Sequence, residues 1–207
     1  VGDEIRIASY KIIFDGVAIA PQDEAGNIRL DAVGVRKVVG KGIVLLNNIS
    51  LSIAPREFVA IVGVSGAGKS TLLDALNGFR PATEGAVLAN GVNLYQNFDA
   101  YRTQLGYVPQ EDIIHKELTG YEALDYAARL RMPADTTSSE RHQRIMDVLG
   151  DLDMVAAKDR PIHRLSGGQR KRVSIGVELL TRPSLFYLDE ATSGLDPGTE
   201  AQLMQLL

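Results

Sequence analysis

The chain has 207 residues, enough for one large domain or one domain with a fragment of another. Its 45% hydrophobic content, 23% charged content and net charge of −4 are those of an ordinary globular protein, with no electrostatic reason to seek nucleic acid or an anionic membrane surface as a direct partner. Lacking cysteine, it has no disulfide frame, thiolate zinc site or cysteine nucleophile, and no apolar run reaches the ~20 residues needed to span a bilayer.

Residues 2–19 read as short strands, with Ile5, Ile7, Tyr10, Ile12 and Phe14 alternating with polar neighbours and Asp15-Gly16 as a hairpin signal. The polar stretch from Pro21 to Asn27 reads as a linker. Ile28, Leu30 and Ala32, then Ile49, Leu51 and Ile53, alternate as half-exposed antiparallel strands. After them, the unbroken apolar run from Phe58 to Val62 predicts a strand buried on both faces.

That run leads into Gly63-Val64-Ser65-Gly66-Ala67-Gly68-Lys69-Ser70, which fits G-x-x-x-x-G-K-[ST], and then into a helix-like stretch, Thr71 to Leu76. The glycines let the backbone curl so that successive N–H groups point at phosphate oxygens. Lys69 then reaches the β- and γ-phosphates, the Ser70 hydroxyl meets Mg²⁺, and the following helix adds its positive end.

Ala86 to Leu88 with a turn at Asn90-Gly91, and then Leu105 to Val108, predict further strands. Capping boxes at Thr119-x-x-Glu122 and Thr137-x-x-Glu140 open two amphipathic helices, the first stopped by Pro133. Leu165-Ser166-Gly167-Gly168-Gln169 leads into a helix-like run from Arg170 to Leu180 and offers a second anion-binding helix N-terminus. The basic triplet Arg170, Lys171 and Arg172 reads as a solvated helix face. A last apolar strand, Leu185 to Leu188, ends in Asp189-Glu190, where a carboxylate can help hold Mg²⁺ and its neighbour can activate water. Asp196 followed by Pro197 starts another helix. Strands separated by helices predict a mainly parallel α/β sheet.

From about Ile28 to Leu207 the chain resembles the ATPase domain of ABC transporters. The resemblance rests on the phosphate loop, a Q-loop at Gln110 in Tyr107-Val108-Pro109-Gln110, the Leu165–Gln169 signature, the acidic strand Leu185–Glu190, and a D-loop Ser193-Gly194-Leu195-Asp196. Asp74 to Gly78, Gly168 to Ser174 and Glu178 to Pro183 are similar to the G subfamily of half-transporters. The resemblance implies a P-loop NTPase fold with a mainly parallel central sheet, an antiparallel β subdomain and an α-helical subdomain at about 111–160. It implies that Gly63, Ser65, Gly66, Gly68, Lys69, Ser70 and Thr71 bind ATP, and that Ser70, Gln110 and Asp189 hold Mg²⁺. Glu190 would be the general base, with Lys69 and Gln110 completing the catalytic set. Ser166, Gly167, Gly168 and Gln169 would meet ATP held by a partner ATPase domain, and Asp196 would couple the two sites. A transmembrane domain would be the other partner, with this domain at the cytoplasmic face of the cell membrane driving transport, expected to be export.

Some features depart from that pattern. The chain starts without Met and stops before the family's switch histidine, so it is expected to belong to a longer polypeptide; His115, His142 and His163 precede the acidic strand and read as surface residues. No aromatic lies between Phe14 and Phe58 to stack on adenine, so Val38 or Val39 is expected there, and Ala191 stands where the family often has Pro. Residues 1–19 resemble the last strands of a forkhead-associated domain, a phosphothreonine reader, which implies a phosphopeptide partner; a plain β extension is the alternative, with 20–27 as linker and 28–207 as the ATPase domain. Two other functional classes share the ATPase motifs. One is a soluble ABC ATPase of DNA repair or translation, although no heptad repeat separates Lys69 from Ser166 as in the chromosome-maintenance branch. The other is a regulatory ATP-sensing module, against which the intact Glu190 argues.

Overall fold

Alternating apolar residues on either side of Gly40 build the longest strand pair in the computed structural model, β4 (Leu30–Val39) against β5 (Ile43–Ile53), antiparallel as the alternation predicts. The structure describes residues 3–7, 10–14, 19–23, 28–190 and 197–206, with only the backbone for those before residue 28. They fall into two compact units, residues 1–105 and 106–207.

In the first unit, β1 (Asp3–Ile7), β2 (Tyr10–Phe14) and β3 (Ile19–Asp23) form an antiparallel meander. β3 carries strand structure into the stretch read as a linker, with Pro21 opposite Ile12. Among the described residues β2 is its only partner, so β3 lies at the edge of the described sheet, where a residue without an N–H is tolerated. The Asp15-Gly16 turn lies outside the described residues.

The second sheet runs β5-β4-β6-β7, with β6 (Glu84–Ala89) and β7 (Val92–Asn93) joined through Asn90 and Gly91. Both turn residues have positive φ, 49° and 80°, as a two-residue hairpin of this type requires. Leu30, Ala32, Val35, Val87 and Ala89 are buried in this unit, as are Ala75 and Leu76 from α1 (Lys69–Leu76). A short helix, α2 (Phe98–Tyr101), comes next and buries Tyr101.

The run from Phe58 to Val62 is not a strand here. It has no sheet partner among the described residues of its unit, and Val62 is 91% exposed. A wholly apolar strand needs a ladder on each side to bury both faces. Within this unit no described strand flanks it, so the ladders that such a strand requires are not made here.

In the second unit, β8 (Leu105–Val108) pairs with β9 (Leu185–Leu188). Around them pack α3 (Gly120–Arg131), α4 (Ser138–Asp151) and α5 (Gly167–Leu179); α6 (Pro197–Leu206) closes the described chain. Thr119 and Thr137 both make the predicted capping boxes. Leu124, Ile145, Val148, Leu149 and Leu152 form the core with Val108, Val173 and Ile175, while Val155 is exposed. No helix among the described residues is long and apolar enough to cross a membrane.

Candidate active site

In the first unit the glycine loop curls as its sequence demands. Ala67 N donates to Val64 O at 3.2 Å, and Gly66 and Gly68 take φ of 80° and 89°. A side chain at Gly68 would be strained by that φ, and its Cβ would press on the Leu45 carbonyl at 3.4 Å. Gly68 is also the N-cap of α1, so no side chain caps this helix, and its first turn contains no acidic residue. The helices α3, α4 and α5 are each closed by their own capping box. An uncapped, positively polarised helix end on a glycine loop is suited to receive an anion.

Lys69 arches back over the loop, its Nζ donating to Gly63 O at 2.9 Å and Val64 O at 3.2 Å. Gly63 and Ser65 are exposed and Thr71 is half-buried; the exposed Ser70 is hydrogen-bonded or otherwise engaged in this structure. Val38 is half-buried and Val39 lies on the exposed side of β4.

In the second unit the ends of β8 and β9 are tied by Asp189 N donating to Val108 O at 2.9 Å. Adjacent strand ends bring the residues just beyond them together. Gln110 Nε2 donates to Glu190 Oε2 at 2.9 Å, although 80 residues separate them in sequence. Asp189 is buried at 8% exposure, while Glu190 is exposed and sits at φ 49°, a left-handed conformation that costs a non-glycine residue about 1 kcal/mol or more. Strain of this kind concentrates at functional sites.

Ser166 Oγ accepts from Gln169 N at 3.2 Å, and Gln169 Oε1 accepts from Ser166 N at 3.0 Å. The signature Gln169 side chain is therefore taken up in closing its own helix, leaving the Gly167 and Gly168 backbone as the open part of that N-terminus. Asp196, Ser193, Gly194, Leu195 and Ala191 lie outside the described residues. His115, His142 and His163 are exposed, as expected; His142 Nδ1 shares a hydrogen bond with the Tyr121 hydroxyl at 2.7 Å.

The basic triplet is a correction. Only 5% of Lys171 is exposed, and its Nζ donates to Pro109 O and Gln110 O, both at 2.9 Å. Arg170 donates to Leu165 O at 2.6 Å and Arg172 to Leu152 O at 3.1 Å, so all three cations hold carbonyls, Lys171 buried and the two arginines half-buried. The sequence held a signal for this: one helical turn along from Lys171 lie Ser174 and Ile175, both buried, so the lysine shares their inward face.

A glycine loop turning into an uncapped helix, with an acidic strand end beside a glutamine, defines a P-loop NTPase. A family model described as ABC transporter matches residues 46–193. Over its full length the chain is 42% identical to an ABC transporter ATP-binding/permease protein of Mycobacterium tuberculosis, of which it covers 24%. It is 40% identical to ABC transporter G family member 22 of Arabidopsis thaliana over 79% of this chain and 22% of that protein. The chain thus spans about a quarter of the length of these curated relatives. Among solved structures, the dimeric post-hydrolysis ATP-binding cassette MJ0796 bound to ADP and Pi is similar, with TM-score 0.77, 28% identity, and coverage of 86% of this chain and 80% of that one. The chain belongs to the ABC transporter family and carries its ATPase fold.

Proposed function

We propose that this chain is the ATP-hydrolysing domain of a G-type ABC half-transporter, pairing head to tail with a second ATPase domain to drive export from the cytoplasmic face of the membrane. The relatives' descriptions, which include a permease and G family members, support the transport role. The observation that carries hydrolysis is the Gln110–Glu190 hydrogen bond, which fixes a carboxylate in a strained backbone beside a second polar side chain.

In this reading the backbone amides of Gly66, Gly68 and the first turn of α1 receive the phosphates, with Gly63, Ser65 and Thr71 shaping the loop. Lys69 moves from its own loop carbonyls to the β- and γ-phosphates. Glu190 takes a proton from water as the water oxygen bonds to the γ-phosphorus; the bond from that phosphorus to the β–γ bridging oxygen breaks, and ADP carries the released electron pair. Gln110 orients Glu190. The Ser70 hydroxyl, the Gln110 amide oxygen and the Asp189 carboxylate are all hard oxygen donors, a set that fits Mg²⁺. When bound, that ion would supply charge to offset the phosphates. Val38 and Val39 offer the aliphatic contact for adenine. Ser166, Gly167 and Gly168 close on the nucleotide of the partner, with Gln169 holding their shape and Asp196 as the coupling residue.

Residues 28–207 make up the ATPase domain, and α3 and α4 within 111–160 are the helical part that meets the membrane domain. The β1-β2-β3 meander supports the end of a forkhead-associated domain upstream, with a phosphopeptide as its ligand and a linker before residue 28. The decisive variant is Glu190→Gln. It should bind MgATP with unchanged affinity and lose turnover by roughly 10²–10⁴-fold, the range of a lost general base. Wild-type turnover in that variant would remove Glu190 as the base.

A further inference from the structure

Lys171 is the buried cation that the mechanism above leaves without a task. Its side chain is 6% exposed, and its ammonium meets Pro109 O and Gln110 O at 2.9 Å and Asp112 Oδ1 at 3.4 Å. The ammonium donates to the two carbonyls and faces the Asp112 carboxylate as an ion pair. All three lie on the loop that follows β8. Asp112 Oδ1 is itself buried and has no hydrogen-bond partner, so its compensation is the Lys171 charge. Buried charges are tolerated only when paired in this way, which makes the contact stiff.

The geometry places Lys171 between two functional elements. It sits on α5, one turn after Ser166, Gly167 and Gly168. It grips the backbone carbonyl of Gln110, whose side chain in turn donates to Glu190. We propose that Lys171 is a positioning residue that transmits the state of the signature helix to Gln110 and hence to Glu190. Hydrolysis, and not ATP binding, then depends on where α5 stands. The proposal rests on the ATPase reading above, since it assigns Lys171 a part in that reaction.

The test uses the full-length protein with Lys171→Met, Asp112→Asn, Gln110→Ala and the double variant Lys171→Met/Gln110→Ala, and Glu190→Gln as reference. Nucleotide affinity and kcat are measured separately for each. Lys171→Met should hold ATP within about twofold of wild type while kcat falls about tenfold or more, a loss confined to the chemical step. Asp112→Asn leaves the two carbonyl contacts in place and should lose about threefold in kcat, which keeps the question answerable if the methionine variant does not fold. The double variant should be no slower than Gln110→Ala alone, because both changes cut one line of coupling. Additive losses, or a fall in ATP affinity that accounts for the lost rate, would mean a purely structural lysine and overturn the proposal. If Glu190→Gln loses turnover while Lys171→Met and Asp112→Asn keep wild-type kcat, the proposal fails and the ATPase reading stands. If Glu190→Gln itself turns over normally, the reading on which it rests has failed.

Discussion

Lys69 turns back on its own loop, gripping the carbonyls of Gly63 and Val64. Those residues are exposed, so water can replace the lysine there and removing it should leave the fold intact. Its loss is felt by the ligand. A charged hydrogen bond contributes about 1.5–3 kcal/mol, so Lys69→Ala should weaken ATP binding by one to two orders of magnitude. Calorimetric titration with MgATP checks this, and wild-type affinity would contradict the phosphate-loop assignment. At this scale the sequence is legible where a motif fixes the local backbone within a few neighbours, as in the left-handed glycines Gly66 and Gly68 of the loop. It is not legible at Lys171, whose two carbonyl acceptors and paired carboxylate lie about sixty residues upstream. No local pattern names a partner at that distance, and only the inward helical face shared with Ser174 and Ile175 hinted at burial.

At the level of elements, the helix starts were legible because a cap is a local contract between residues three apart. Thr137 illustrates it: its Oγ1 accepts from Glu140 N at 3.2 Å, while its N–H and hydroxyl donate to the Glu140 carboxylate at 2.8 and 2.7 Å. The hydroxyl first, then the backbone N–H, hold the Glu140 carboxyl below the usual glutamate range. A depressed carboxyl stabilises the fold above its unfolded-state value, and that contribution is lost as pH falls through the folded value. Thr137→Ala should destabilise the fold at neutral pH by removing this N-cap. The gap between variant and wild type should narrow on acidification below the glutamate range, and the Glu140 carboxyl should titrate higher in the variant. Urea unfolding across pH with an NMR titration of Glu140 measures both; a gap independent of pH would refute the linkage. The strands were less legible for the opposite reason. β3 and the run from Phe58 to Val62 differ from expectation because a strand is defined by its neighbours: β2 recruits the first, and no described strand in its unit flanks the second.

For the molecule as a whole, the question is why one chain carries two glycine-rich helix starts. One triphosphate fills one loop, and α1 already presents an end that no side chain caps. The opening of α5 is half closed by its own Ser166–Gln169 box, which leaves the Gly167 and Gly168 backbone for a weaker, second contact. The proposed head-to-tail dimer would give that contact a role, because each nucleotide would be held by one subunit's α1 and capped by the other's α5. The arrangement makes a sharp prediction for mixtures. Lys69→Ala removes the loop's phosphate-binding and catalytic cation from a subunit and spares its signature. Gly168→Asp does the reverse: an acidic residue in the first turn suits the helix, so folding should be retained, while its charge repels the partner's γ-phosphate. Each variant alone should be inactive. Co-assembled with separate tags, random pairing puts both kinds of subunit in half of the dimers, and each mixed dimer contains one whole composite site and one doubly damaged site. Turnover should then recover to roughly a quarter of wild type, as two-fold symmetry of the interface requires. A mixture as inactive as its parts would rule out sites shared between subunits, and the signature loop would have to act on its own chain's nucleotide.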